Sequence, residues 1–212
     1  MEERKMIYLC LAHMSEDGME QKYVKEAFDT NWVVPMGPNV NAFEQSLTDF
    51  VKSTDNGQQS ASDAKVVCLS AGTAAVHLAL IACGVKSGDE VCVQSFTFCA
   101  SSHPITYLGA KPVFIDSERD TWNMDPELLE KAIVERKEVT GKYPKAIIPV
   151  ALYGMPYDCE KIMAVANKYG IPVIEDAAEG MGSRFNGQVL GTFGRFGVLS
   201  FNGNKMITTS GG

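Results

Sequence analysis

Ile171-Pro-Val-Ile-Glu-Asp-Ala-Ala-Glu179 decides the fold class. It is a short β-branched apolar run that follows a segment of helical period, Asp158–Tyr169, and breaks off into acids. A strand apolar towards both of its faces must be covered on both faces, which is the condition of a strand inside a parallel sheet with helices above and below. Ala146–Val150 reads the same way. Working outward, further strands are predicted over Lys65–Leu69, Glu90–Val93, Pro112–Ile115 and Phe196–Phe201, alternating with helices over Thr73–Cys83, Pro126–Glu138 and Asp158–Tyr169. Thr73 and Asp125-Pro126 supply helix starts and Gly84 a stop. The class is α/β, a mostly parallel sheet flanked by helices.

Residues 1–64 form a different region. Gln21–Phe28 and Val40–Val51 read as amphipathic helices, the second with Phe43, Leu47 and Phe50/Val51 on one face. Between them runs Asn31-Trp-Val-Val-Pro-Met-Gly-Pro38, extended and carrying an aromatic, and Asp55–Asp63 reads as a polar loop tip. The α/β region then occupies 65–212. The sequence stops at Thr208-Thr-Ser-Gly-Gly212, a loop-like stretch shortly after a buried strand, so the expectation is that a longer parent chain continues beyond it.

The 212 residues carry 19 basic and 26 acidic side chains, a net charge of −7 with no basic run, which leaves a nucleic-acid-binding surface without an electrostatic basis. The apolar run around Ala74–Val85 is interrupted by His77 and too short to span a bilayer. The acids mixed into Met1-Glu-Glu-Arg-Lys do not fit a secretory leader, so the expected location is cytoplasmic. Cys10, Cys68, Cys83, Cys92, Cys99 and Cys159 form no C-x-x-C pair and read as buried, reduced thiols, and His13, His77 and His103 as packed side chains; no metal site is expected.

Three segments carry chemistry. Ser70-Ala-Gly-Thr73 joins a strand to a helix and frees backbone amides at a positive helix end, where a phosphate binds; turn geometry and capping alone would also explain it. Glu175-Asp-Ala-Ala-Glu179 sets acids at the carboxyl edge of a parallel sheet, where α/β proteins hold ligands, although Asp176 could simply cap the next turn. Leu199-Ser-Phe-Asn-Gly-Asn-Lys205 brings one lysine after an apolar strand, and a desolvated lysine is a nucleophile able to form a Schiff base; a surface loop lysine is the alternative. Together, an amide nest, a strand-end carboxylate and a nearby lysine are the parts that hold pyridoxal phosphate. Phe98, in Ser95-Phe-Thr-Phe-Cys99, reads equally as a ring-stacking side chain or a core aromatic.

These segments, with Gly88-Asp-Glu-Val91 and Gly109-Ala-Lys-Pro-Val-Phe-Ile-Asp116, resemble in order the signatures of the DegT-type sugar-nucleotide aminotransferases, which have the aspartate-aminotransferase type of fold (fold type I). The resemblance implies that 65–212 is the large, cofactor-binding domain and that a smaller C-terminal domain is absent from this sequence. It implies Lys205 as the Schiff-base lysine, Asp176 as partner of the pyridine nitrogen and Phe98 as the stacking ring. Gly72, Thr73 and Ser200 would bind the phosphate and Glu179 the phenolic-oxygen side, where the family often has Gln or His. Glu179, the opening stretches Met14…Lys22–Phe28 and Asn31–Pro38, and Asn202–Gly212 are similar to a subgroup of 4-aminotransferases acting on UDP-4-keto-6-deoxy-N-acetylglucosamine, in bacterial amino-sugar biosynthesis. There Asn31, Trp32, Val33 and Val34 would line the substrate pocket. L-glutamate would be the amino donor, and a homodimer the working form. By the same resemblance, the 212 residues alone are expected to hold the cofactor poorly and to show no transamination.

Other readings remain beside this one: a GDP-perosamine-type or other sugar-nucleotide aminotransferase, or a non-enzymatic regulator that binds pyridoxal phosphate. A dinucleotide-dependent oxidoreductase needs a strand followed by G-x-G-x-x-G, and Gly191, Gly194 and Gly197 are spaced differently and precede a strand. A related group of sugar dehydratases has His in place of the lysine, against which Lys205 argues.

Overall fold

The computed structural model describes residues 6, 14–53 and 63–211. Cys10, His13 and the stretch 55–62, read above as most of a loop tip, lie outside the described residues. Two helices come first, α1 (Met19–Asp29) and α2 (Pro38–Lys52), then α3 (Gly72–Ala82). The α/β alternation follows: β1 (Glu90–Gln94), α4 (His103–Tyr107), β2 (Lys111–Ile115), α5 (Pro126–Thr140), β3 (Ala146–Ile148), α6 (Cys159–Tyr169), β4 (Ile174–Asp176), a hairpin β5 (Arg184–Phe185) and β6 (Gln188–Val189), and β7 (Phe196–Val198). β1 pairs in parallel with β2 and β3, and β4 in parallel with β7. Parallel bridges Ile147–Val173 and Val150–Asp176 join the two sets into the order β2-β1-β3-β4-β7.

Side-chain alternation builds a core on each face. Val91 and Val93 of β1 join Ile148, Ile174 and Val198 against Val76, Leu80 and Ile105 of α3 and α4. Cys92, Ile147 and Val173 point the other way, onto Leu129, Ile133, Ile162 and Ala166 of α5 and α6. The helix starts follow from local chemistry: Asp125 accepts hydrogen bonds from Glu127 N (2.8 Å) and Leu128 N (3.1 Å), and Asp158 from Lys161 N (3.0 Å). Gly84, at φ 74°, ends α3 in the left-handed conformation glycine adopts without strain. No helix among the described residues is long and apolar enough to cross a membrane.

The structure corrects several expectations. Lys65–Leu69 is not a strand: it is extended, but with no strand paired to it among the described residues two of its amides donate to α2 side chains, Val66 N to Thr48 Oγ1 (3.1 Å) and Cys68 N to Glu44 Oε1 (2.8 Å). Apolar alternation extends a backbone, whereas a strand also needs a neighbour. This segment forms one wall of a cleft of about 830 Å³ whose other wall includes Phe196–Leu199. β7 also stops at Val198, short of the expected Phe201. Cys83, Cys92 and Cys159 are buried as expected, but Cys68 and Cys99 are exposed. His77 packs edge-on against Tyr107 (5.6 Å), while His103 is exposed at the start of α4. Leu47 and Val51 of α2 are buried and Phe43 packs edge-on against Phe201, but α1 buries none of its residues.

The glycines before β7 have a structural reason. Glu175, 1% exposed, accepts hydrogen bonds from Gly191 N (2.9 Å), Phe193 N (2.5 Å) and Gly194 N (2.7 Å). Burial pushes its carboxyl above the ordinary carboxylate value, and these amides oppose that shift. The turn is drawn so close that a Cβ on Gly197 would lie 1.9 Å from Gly191 O. Gly197→Ala is therefore expected to destabilise by about 3 kcal/mol or more, read as a lowered denaturant midpoint. Glu175→Gln turns an NH₂ towards at least one of these amides, so a loss of about 2 kcal/mol is expected in the same measurement.

Candidate active site

The register Asp176–Val198 puts the ends of β4 and β7 side by side, and Ala177 N bonds Val198 O (2.9 Å) just past them. Everything that follows those strands therefore emerges at one place, the carboxyl edge. Asp176 is 5% exposed. Its Oδ1 accepts from Ala178 N (3.2 Å) and its Oδ2 from the Ser101 hydroxyl (2.5 Å). Burial raises its affinity for a proton above the ordinary value, opposed by the Ser101 and Ala178 bonds and by the charge of Lys205.

Lys205 is held by the turn after β7, its N–H bonding Asn202 O (2.9 Å). Its side chain is 14% exposed and its Nζ lies 3.6 Å from Glu179 Oε1. It is thus a half-buried lysine facing acids, not a surface loop lysine. The other Glu179 oxygen, Oε2, accepts from Tyr153 N (2.7 Å). Tyr153 holds a left-handed backbone, φ 52°, unusual for so bulky a residue.

The amide nest lies against the same edge. α3 begins at Gly72 after Ala71 with no side-chain cap, so its first-turn N–H groups, Thr73 among them, point away from the helix uncapped. A Cβ built on Gly72 would touch Ser200 Cβ at 3.4 Å and Oγ at 3.6 Å, which places the two expected phosphate elements next to each other. Ser200 is 9% exposed. Phe98, left open between core and stacking, is 73% exposed, so it is not a core residue. Its turn continues into Cys99–Ser101, which delivers Ser101 to Asp176.

The structure thus gathers Glu179 and Lys205 as an ion pair with Asp176 close enough to feel both charges, and Gly72 with Ser200 by contact. Trp32, Val33 and Val34 instead line an apolar hollow of about 400 Å³ with Val24, Ala27, Phe28 and Pro35, and Asn31 precedes them with φ 60°. Sequence reading missed Ser101, Thr97 and Tyr153. Ser101 lay within the same post-β1 segment as Phe98, but nothing in the chain showed that this segment reaches β4.

This arrangement can be compared with known proteins. The chain is 52% identical over 208 residues to EpsN of Bacillus subtilis (strain 168), provisionally named a pyridoxal phosphate-dependent aminotransferase, covering 98% of this chain and 50% of that one. It is 39% identical to GDP-perosamine synthase of Escherichia coli O157:H7, covering 98% of this chain and 52% of that one. Among solved structures, the aminotransferase from Psychrobacter cryohalolentis superposes with a TM-score of 0.79 at 30% identity, over 94% of this chain and 46% of that one. The chain therefore spans about half the length of the curated relatives it matches. The structural neighbours are fold type I aminotransferases, and pyridoxal phosphate is the cofactor of the family. Residues 14–212 match the family model itself, and the chain belongs to the DegT/DnrJ/EryC1/StrS aminotransferase family.

Proposed function

We propose that the whole protein is a pyridoxal phosphate-dependent transaminase that moves an amino group from L-glutamate to carbon 4 of a nucleotide-linked 4-keto-6-deoxy sugar, UDP-4-keto-6-deoxy-N-acetylglucosamine, for a bacterial surface glycan. The observation that carries this reading is the meeting of Lys205 with Asp176 and Glu179 at the carboxyl edge. The residues fit the cofactor. Asp176 is a buried carboxylate whose hydrogen bonds come from a hydroxyl and an amide, and a protonated ring nitrogen would give it the cation that a buried charge needs. The uncapped first turn of α3, beside Ser200, would hold the phosphate, and the exposed Phe98 ring would cover one ring face.

When bound, pyridoxal phosphate supplies an electron sink and a carrier for the amino group. The chain's own residues do the rest. Asp176 keeps the proton on the ring nitrogen. Lys205 Nζ, once free, removes and returns the proton at the reacting carbon in each half-reaction. Glu179, whose other oxygen is tied to the Tyr153 amide, steadies the Lys205 ammonium between those transfers. Glu179→Gln keeps the bond to Tyr153 and loses the charge and the acceptor that face Lys205, a contact of a part-exposed pair, so a fall in turnover of less than about tenfold is expected.

The UDP sugar is supported by the likeness of Glu179 and of Asn31–Val34 to the UDP-specific subgroup, and the GDP-perosamine relative favours a GDP sugar as the second reading. The homodimer is supported by α1, which buries none of its residues, and by Trp32, Val33 and Val34, each more than half exposed. Incubating the whole protein with glutamate and a panel of UDP-, GDP- and dTDP-4-keto sugars tests the assignment. Amino sugar with stoichiometric 2-oxoglutarate is expected, fastest with the UDP substrate. A GDP preference would move the assignment to the second reading, and no turnover with any would leave a cofactor-binding regulator.

A further inference from the structure

Asp176 receives its two hydrogen bonds from different sources. The bond from Ala178 N is local, two residues along the chain, and forms wherever an aspartate opens a turn of this kind. The bond from Ser101 crosses from another part of the fold, 75 residues away, at 2.5 Å. Ser101 is 0% exposed and has a single hydroxyl proton, which it spends on Asp176. The 2.8 Å bond between Ser101 Oγ and Thr97 Oγ1 is therefore donated by Thr97. The result is a one-way chain, Thr97 to Ser101 to Asp176, in which each bond polarises the next towards the carboxylate.

The same short turn presents Phe98. Ser101 N donates to Phe98 O (3.1 Å), and Phe98 leaves its ring exposed on the outside of the turn while Ser101 points inward. One five-residue segment, Thr97–Ser101, thus links the aromatic that would face a bound ring to the carboxylate that would meet its nitrogen. The terminal torsion of an aspartate is broad and roughly two-fold, so burial alone does not fix the plane of the carboxylate. A buried donor on one oxygen does.

We infer that Ser101, backed by Thr97, is a positioning residue that fixes the plane and the negative charge of Asp176 for a ring nitrogen. This rests on the proposed function. Ser101 makes no contact with substrate or cofactor in this account; it acts through Asp176. A serine that merely satisfied a buried carboxylate would affect stability alike with any ligand, whereas a positioning serine affects only ligands that have the nitrogen.

The test uses the whole protein and two probes, pyridoxal phosphate and its 1-deaza analogue, in which carbon replaces the ring nitrogen. Binding is followed by absorbance and fluorescence titration, without any measurement of turnover. The unaltered protein is expected to bind pyridoxal phosphate more tightly than the analogue; equal affinities would overturn the role of Asp176 and this inference with it. With that preference in hand, Ser101→Ala is expected to weaken pyridoxal phosphate roughly tenfold or more, the scale of a lost hydrogen bond to a charged group, and to leave the analogue unchanged. Thr97→Val, nearly the same in shape and less buried, is expected to give a smaller loss with the same selectivity. Equal weakening of both probes in Thr97→Val and Ser101→Ala, or no weakening of either, would overturn the positioning role while leaving Asp176 in place. Should Ser101→Ala fail to fold, the selectivity of Thr97→Val decides alone.

Discussion

Lys205→Ala in the whole protein is expected to lower transamination by at least about 10⁴-fold. Among the described residues, neither acid facing Lys205 can replace it: a carboxylate cannot supply the amine that condenses with an aldehyde, Asp176 is buried and turned towards Ser101 and Ala178, and Glu179 has one oxygen tied to the Tyr153 amide. On the proposed mechanism the variant loses the amine that would hold the cofactor and the base of both half-reactions together, which is why the two losses are expected in one substitution. Removing Lys205 also leaves Glu179, 31% exposed at its side chain, without that counter-ion, a modest cost at so open a position. Folding should therefore be nearly unchanged, and a denaturant midpoint within about 1 kcal/mol of the unaltered protein is the control that separates lost chemistry from lost structure. Residual turnover within tenfold of normal would remove Lys205 from the mechanism.

Asp176→Asn is the second large effect, a fall in turnover of roughly 10²- to 10³-fold with the cofactor still bound, the range seen when one preorganised electrostatic partner is removed from a transition state. Asparagine has the same shape but no negative charge, so it cannot keep a proton on the ring nitrogen. The change should also be gentle to the fold. The charge it deletes is almost wholly buried and is opposed by desolvation, and with its oxygen on Ala178 N the new amide can turn its NH₂ towards the Ser101 hydroxyl oxygen, which can accept as well as donate. Loss of turnover with unchanged stability is the expected signature. Equal turnover in the two proteins, measured at saturating cofactor, would take the role away from Asp176.

Much of the fold was readable in the chain because the physics involved is local. Two-sided apolar runs such as Ala146–Val150 mark covered parallel strands, and the caps Asp125 and Asp158 sit where their side-chain oxygens meet the first-turn amides of α5 and α6. That Lys205 and Asp176 come to one sheet edge was legible because both follow strands that end there, and such an edge is where α/β proteins hold ligands. What was not legible depended on partners distant in sequence. Lys65–Leu69 has the composition of a strand, but pairing belongs to the neighbour, and its amides go to Thr48 and Glu44. Ser101 looks like any small residue after Phe98 until the sheet order brings its turn to β4. Glu175 lay inside the acidic motif, yet strand alternation turns it away from Asp176, where it gathers the amides of the Gly191–Gly194 turn.

Of the fourteen lysines in the sequence, Lys205 alone is proposed to carry the cofactor. Borohydride reduction of the whole protein with pyridoxal phosphate, followed by mass mapping of its peptides, tests this most directly. A single stoichiometric adduct is expected on Lys205, in the peptide that contains Ser200, and none in Lys205→Ala. A stoichiometric adduct on any other lysine, persisting in that variant, would contradict it.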